Sequence, residues 1–159
     1  MFSVIFEVLT AEGKKDEYLG LAKNLKPIVE SIDGFVDNER FDSLRRCGWL
    51  LSHSTWRDEK SVVRWRTEAQ HHAAQEKGRF EVFDDYHLRV GDVTADTEPP
   101  KQAPIREQRL DETEVGDAKM VTFTEITPRQ GASFADPVKL LPPQLGLELN
   151  SSAIVEYDV

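Results

Sequence analysis

All four histidines and two of the three tryptophans fall between His53 and Val90. Imidazole is the side chain that titrates nearest neutral pH, and indole offers a broad apolar face, so this stretch concentrates proton-transfer groups beside aromatic surface. A metal or haem site is the first chemistry such a concentration suggests. Glu68-x-x-His71 has the spacing of a di-metal carboxylate motif, but that motif needs a second copy on another helix and the chain holds none. No metal is therefore expected. The plainer readings are that Trp65 packs in a core, that Glu68 and Glu76 pair with His71 and His72 on a solvated helix surface, and that Arg89 beside Asp84 and Asp85 makes an exposed ion pair.

Periodicity says which elements must position these groups. Residues 2 to 10 alternate Phe2, Val4, Phe6, Val8 against Ser3, Ile5, Glu7, Leu9, a strand apolar on both faces. After Gly13, the spacing of Tyr18, Leu21, Ala22, Leu25, Ile28, Val29 and Ile32 predicts an amphipathic helix, kinked at Pro27 and stopped by Asp33-Gly34. Phe35 to Phe41 and Trp49 to Trp56 read as strands joined by the polar segment 42–46. In the second of these, Trp49, Leu51, His53 and Thr55 share one face, and Leu50, Ser52, Ser54 and Trp56 the other. Asp58 is the expected N-cap of a helix with Val62, Trp65, Ala69 and Ala73 as its buried stripe, ending at Gly78. A last strand sets Tyr86, Leu88 and Val90 on one face and His87 and Arg89 on the other. On a continuous helix His72 lies almost over Trp65 while His71 is rotated away by about a third of a circle. Either the helix breaks near residues 67–69 or His72 is the histidine that accompanies Trp65.

The order β-α-β-β-α-β over residues 1–92 is the ferredoxin-like α+β arrangement, an antiparallel sheet with two helices on one face. Ile5, Leu9 and part of the third strand make the other face apolar too, so a second subunit is expected there. Residues 93–117 are polar and acidic, with Glu98-Pro99-Pro100 and Pro104, and read as a linker. Strand-like pieces at 119–126 and 153–157 predict a C-terminal arm of two short strands, separated by a Pro-containing segment from Pro128 to Pro143. The first of them resembles the chain's opening strand, a hint of partial duplication.

Composition excludes several partners. With 39% hydrophobic residues the 159-residue chain can bury a core. A net charge of −9 argues against nucleic acid, whose binding draws on clustered cations. No apolar run approaches the length a bilayer-spanning helix needs and the N-terminus has no basic leader, so no membrane partner is expected and the cytoplasm is the default compartment. The single cysteine, Cys47, permits no intrachain disulfide and reads as a buried or edge-strand thiol.

The succession Ser52-His-Ser54-Thr-Trp56-Arg-Asp58, Trp65-Arg66 with His71 six residues on, Ala74-Gln75, Gly78-Arg79 and Asp85-Tyr86-His-Leu-Arg89-Val90, preceded by Gly34-Phe35 and Glu39-Arg40-Phe41, resembles the antibiotic biosynthesis monooxygenase (ABM) domain family. The likeness covers residues 1 to about 92. It implies a homodimeric α+β barrel in which the open sheet faces meet, and an enzyme that oxidises a small aromatic or phenolic compound with molecular oxygen and no metal, flavin or haem. It further implies Trp65 and His71 or His72 as catalytic groups, and a substrate pocket to which Tyr86 and Arg89 contribute an oxyanion anchor, with Trp56 and His53 as further contacts. His53 reaches that pocket only if its face of the third strand turns towards the helices. A haem-degrading branch of the same superfamily carries an Asn on the first strand and a haem-ligating His nine or ten residues after the helix Trp. Here Glu7 stands at the first place and Ala74 or Gln75 at the second, and haem could be ligated only by His71 or His72 in a shifted register. The reading from a different class is a dimeric module that kept the barrel and lost the chemistry, serving ligand binding or a stress role.

Overall fold

The computed structural model describes residues 1–101, 105 and 120–159. Two compact units form: Met1–Asp42 with Gly48–Leu110, and Ser43–Cys47 with Asp111–Val159.

In the first unit, β1 (Phe2–Thr10) lies between β3 (Trp49–Trp56) and β4 (Phe83–Asp92), and β2 (Phe35–Asp42) pairs with β3. The order is β2-β3-β1-β4 and every pairing is antiparallel. Between β1 and β2 runs α1 (Lys15–Ser31), which passes through Pro27 without ending. Between β3 and β4 come α2 (Glu59–Arg66), α3 (Ala69–Lys77) and a single π-helical turn, Gly78–Val82. This is the ferredoxin-like α+β fold expected from the alternation of periods.

The registers decide which side chains meet the helices. Val8 stands opposite Leu50 on one side and Tyr86 on the other. Val8 and Leu50 form a buried cluster with Tyr18 of α1 and Val82, with Phe6, Leu21 and Phe83 packed against it. Each such aliphatic side chain taken fully from water contributes about 1.5 to 3 kcal/mol. Since side chains alternate across a strand, the helix side carries Val4, Phe6, Ser52, Ser54, Leu88 and Val90, and the opposite side carries Ile5, Glu7, His53, His87 and Arg89. Helix α3 touches α1, where Lys77 pairs with Glu17 at 2.7 Å, so the broken helix lies on that same helix side.

One glycine sets the entry to α2. Gly34 has φ +92°, a left-handed conformation that costs other residues strain, and a Cβ there would stand 2.7 Å from Ser61 Cβ. Its carbonyl accepts from Arg57 N–H at 2.8 Å, and the Arg57 guanidinium grips both carboxylate oxygens of Asp33 at 2.7 Å.

Several expectations need correction. The predicted single helix with Ala69 and Ala73 on its buried stripe is instead two helices, and both alanines are exposed, because the break rotates α3 relative to α2. Cys47 is exposed, lying in the turn between β2 and β3 rather than within a strand. The expected strands of the C-terminal arm do not form among residues 120–126 and 153–157. Alternation sets the side-chain pattern, but a strand exists only where its amides find a ladder partner. Most of the expected linker at 93–117, and Lys119, lie outside the described residues.

The second unit holds α4 (Pro137–Gln144), which begins at an Asp136 cap followed by Pro at the first turn. It ends with Gly146 N–H on the Pro143 carbonyl and Leu147 N–H on the Pro142 carbonyl, the paired bonds of a glycine-terminated helix. In the same unit the turn 43–47 is held by side chains. Arg46 pairs with Asp158 at 2.6 Å and Glu156 at 3.3 Å, Ser43 donates to Asp158 at 2.7 Å, and Arg45 sits 4.5 Å over the Tyr157 ring.

Candidate functional site

Asp58 starts the site by ending β3's extension. Its Oδ1 accepts from the Ser61 backbone N–H at 2.8 Å and the Ser61 hydroxyl at 2.7 Å, the N-cap predicted from sequence. Burial pushes this carboxyl up, but the bonds from Ser61 and Arg57 outweigh it and hold the pKa down at about 2. The helix so begun stops after two turns. Thr67 turns its hydroxyl back to the Val63 carbonyl at 3.0 Å, and Glu68 adopts an extended conformation with φ −64° and ψ 131°. Glu68 then caps the next helix, accepting from the His71 backbone N–H at 2.8 Å.

The break brings Trp65 and His71 together. Their rings stack with centroids 3.9 Å apart and 11° between planes, and His71 Nδ1 lies 2.9 Å from the Trp65 carbonyl oxygen. Burial lowers the His71 pKa; the Trp65 carbonyl and Glu68 oppose that shift, and His72 reinforces it. His72 is turned away, its side chain 64% exposed and 3.8 Å from Glu76. Of the two histidines, only His71 therefore joins Trp65.

The other predicted contacts separate by face. Tyr86 lies on the helix side, 38% exposed, with its ring 6.0 Å from Phe6 and 5.9 Å from Phe83. Beside it Leu88 and Val90 are 53% and 50% exposed, so the helices leave the β4 end of their own face open as an apolar strip. Arg89 points to the opposite side and pairs with Glu7. It cannot share a helix-side pocket with Tyr86, since neighbouring strand residues face opposite ways. His53 is on that opposite side too, its Nε2 2.8 Å from Ser3 Oγ, and burial lowers its pKa against Asp37 and Glu39. Trp56 faces the helices but is fully buried, donating to Ser54 Oγ at 2.9 Å and meeting Phe35 edge-on. It is core, with no surface left for a ligand. A shallow depression on α2, lined by Glu59, Lys60, Val63 and Arg64, contains none of the predicted residues.

Two groups escaped the sequence reading. Spacing alone makes Glu68 a surface partner of histidine, although an acceptor side chain ahead of a short helix is also a cap signal. Glu7 was noted only as a departure from the haem pattern, yet it is 9% exposed and 4.0 Å from His87. The haem-degrading arrangement does not fit these residues: Glu7 faces away from the helices, and Ala74 and Gln75 offer no imidazole. Among the described residues no three His, Cys, Asp or Glu side chains converge as metal ligands, and no helix is long and apolar enough to cross a membrane.

A four-stranded ferredoxin-like α+β domain with an indole-imidazole stack on its helix side is the class of protein these features define. Residues 1–77 match the family described as antibiotic biosynthesis monooxygenase, and this domain is of that family. It is 51% identical over 137 residues to the jasmonate monooxygenase ABM of Pyricularia oryzae, covering 83% of this chain and 63% of that relative. The chain thus spans less than two thirds of the relative's length. Among solved structures, Rv0793 from Mycobacterium tuberculosis superposes with a TM-score of 0.56 at 12% identity, over 61% of this chain and 98% of that one. An antibiotic biosynthesis monooxygenase structure superposes with a TM-score of 0.53 at 14% identity, over 60% and 100%. At such identities these two likenesses speak for the fold alone.

Proposed function

We propose that this chain is a monooxygenase that oxidises a small aromatic or phenolic compound with molecular oxygen, using no metal, flavin or haem, and that it works as a homodimer in the cytoplasm. The observation that carries the reading is the Trp65–His71 stack, made by a helix break and set on the same side of the sheet as the open apolar strip of β4. An electron-rich phenolate can itself reduce oxygen, so the protein has to bind the ring, take a proton and limit water. The stoichiometry is simple: a phenol and one O2 give a quinone and one water. Trp65 supplies ring surface, His71 the proton acceptor and Leu88 and Val90 the apolar strip. The monooxygenase name of the 51% identical relative favours the same reaction class and makes jasmonate a second substrate to test.

Support for the homodimer is the sheet face turned away from the helices, where Ile5, Leu9, Trp49 and Leu51 are half-buried side by side. The lone Cys47, exposed in its turn, suits a reducing compartment. The test is oxygen uptake and product mass with 18O2, using polycyclic phenols and jasmonate, for the parent and His71→Ala. Incorporation of label by the parent and its loss in the variant is the expected result. If no substrate raises oxygen uptake and His71→Ala binds the same compounds as the parent, the oxygenase reading falls and the ligand-binding module takes its place.

A further inference from the structure

We propose that the break at Thr67-Glu68 locks His71 in its Nδ1–H tautomer, which makes Nε2 the proton acceptor of the site and Glu68 the residue that positions it. This rests on Trp65 and His71 being the working pair.

A carbonyl oxygen can only accept. The contact of 2.9 Å between His71 Nδ1 and the Trp65 carbonyl is therefore a hydrogen bond only when Nδ1 carries the proton. A neutral imidazole has one N–H, so its remaining lone pair must sit on Nε2, which has no partner among the described residues. Protonating Nε2 as well would place a cation on a ring whose burial already disfavours charge. The titratable neighbours acting on this ring are Glu68 and His72.

The acceptor is available because the helix ends there. Carbonyls in the last turn of a helix lack the regular intrahelical donor, and the Trp65 carbonyl otherwise receives only the non-helical contacts of the chain's turn, from the Thr67 N–H and from the Glu68 N–H at 3.2 Å. Were α2 and α3 one helix, that carbonyl would be used by the amide four residues on, and His71 would be turned away from Trp65. Glu68 acts through His71 rather than on a substrate. By capping α3 on the His71 amide it fixes where the imidazole starts, and the indole face fixes the ring plane. Selecting a tautomer by a bond at the other ring nitrogen is how histidine bases are commonly oriented. A neutral base of this kind suits a substrate bearing an acidic hydroxyl: the O–H bond breaks, the proton passes to Nε2 and the electron pair stays on oxygen as phenolate or enolate.

The experiment is nitrogen-15 NMR of the full chain with labelled histidine, the His71 signals assigned by their loss in His71→Asn. A pyrrole-type Nδ1 and a pyridine-type Nε2, with one protonation step below the ordinary imidazole value, are expected in the absence of any substrate. Glu68→Gln, which keeps an acceptor at the cap, should retain the tautomer. Glu68→Ala should mix the two forms, shift the acidic limb of the rate profile and lower kcat about fivefold with little change in KM. A predominant Nε2–H form, or averaging like that of exposed His72, overturns the lock. A locked tautomer with no oxygen uptake on any substrate leaves the lock standing and sinks the oxygenase reading. Oxygen uptake without the lock sinks only this inference.

Discussion

Two indole–imidazole pairs of the domain, Trp49–His87 and Trp65–His71, differ in how the backbone brings them together. Trp49 and His87 meet on the sheet face away from the helices, with centroids 5.5 Å apart and planes tilted by 36°; they come from β3 and β4, which flank β1. His87 remains 45% exposed and has Glu7 4.0 Å away. Trp65 and His71 lie six residues apart in sequence and stack almost parallel because two short helices replace a longer one. The first pair is what a regular sheet produces when large residues share a face. The second depends on an irregularity that gives the imidazole a fixed ring plane and a backbone acceptor. Orientation by a backbone irregularity, rather than the presence of the rings, separates a candidate catalytic group from a packing contact.

The comparison can be broken at its supports. The largest effect expected is at Gly34, which frames the start of α2: Gly34→Ala adds strain at positive φ to a clash with Ser61 and should cost about 2 to 5 kcal/mol in denaturant unfolding. Gly91→Ala, on the strand that carries His87, meets nothing within 4 Å and should change stability by no more than about 0.5 kcal/mol. Next comes the cap. Glu68→Ala should destabilise by about 1 kcal/mol, whereas His72→Ala, one turn on and exposed, should stay within about 0.5 kcal/mol.

The smallest effect is with pH. Burial lowers the pKa of both His71 and His53, so below the ordinary value near 6.5 the unfolded chain binds more protons than the folded one. Stability should be level above that pH and fall as pH drops through it towards the folded-state values. Thermal melts between pH 7.5 and 5 should show this fall in the parent and a shallower one in His71→Asn. An unchanged slope would mean that His71 is not buried in solution.

Much of the fold was legible in the sequence because each element carried its own period. The strand at 49–56 and the Asp58 cap came from local signals that tertiary packing did not override. The break near Thr67 was visible only as a conflict, since no continuous helix could put His71 beside Trp65. What alternation cannot give is which of two apolar faces the helices cover. His53 depends on that choice, and the registers put it on the side away from the helices; Arg89 joins Tyr86 only through the family resemblance, since alternation alone already sets the two on opposite faces. In the tail, alternating residues suggested strands without showing any partner for their amides. The helix at Pro137–Gln144, in contrast, had an Asp-Pro start and a glycine end that could have been read.

The most direct test of the central claim sets the two pairs against each other in one assay. Oxygen-dependent turnover of a phenolic substrate or jasmonate would be measured for the parent, His71→Ala and His87→Ala, with folding of each checked by its melt. Loss of a positioned general base should lower the rate of His71→Ala by about 10²- to 10⁴-fold, while His87→Ala should keep the parent's kcat. Equal rates for the parent and His71→Ala, or a loss confined to His87→Ala, would contradict the account.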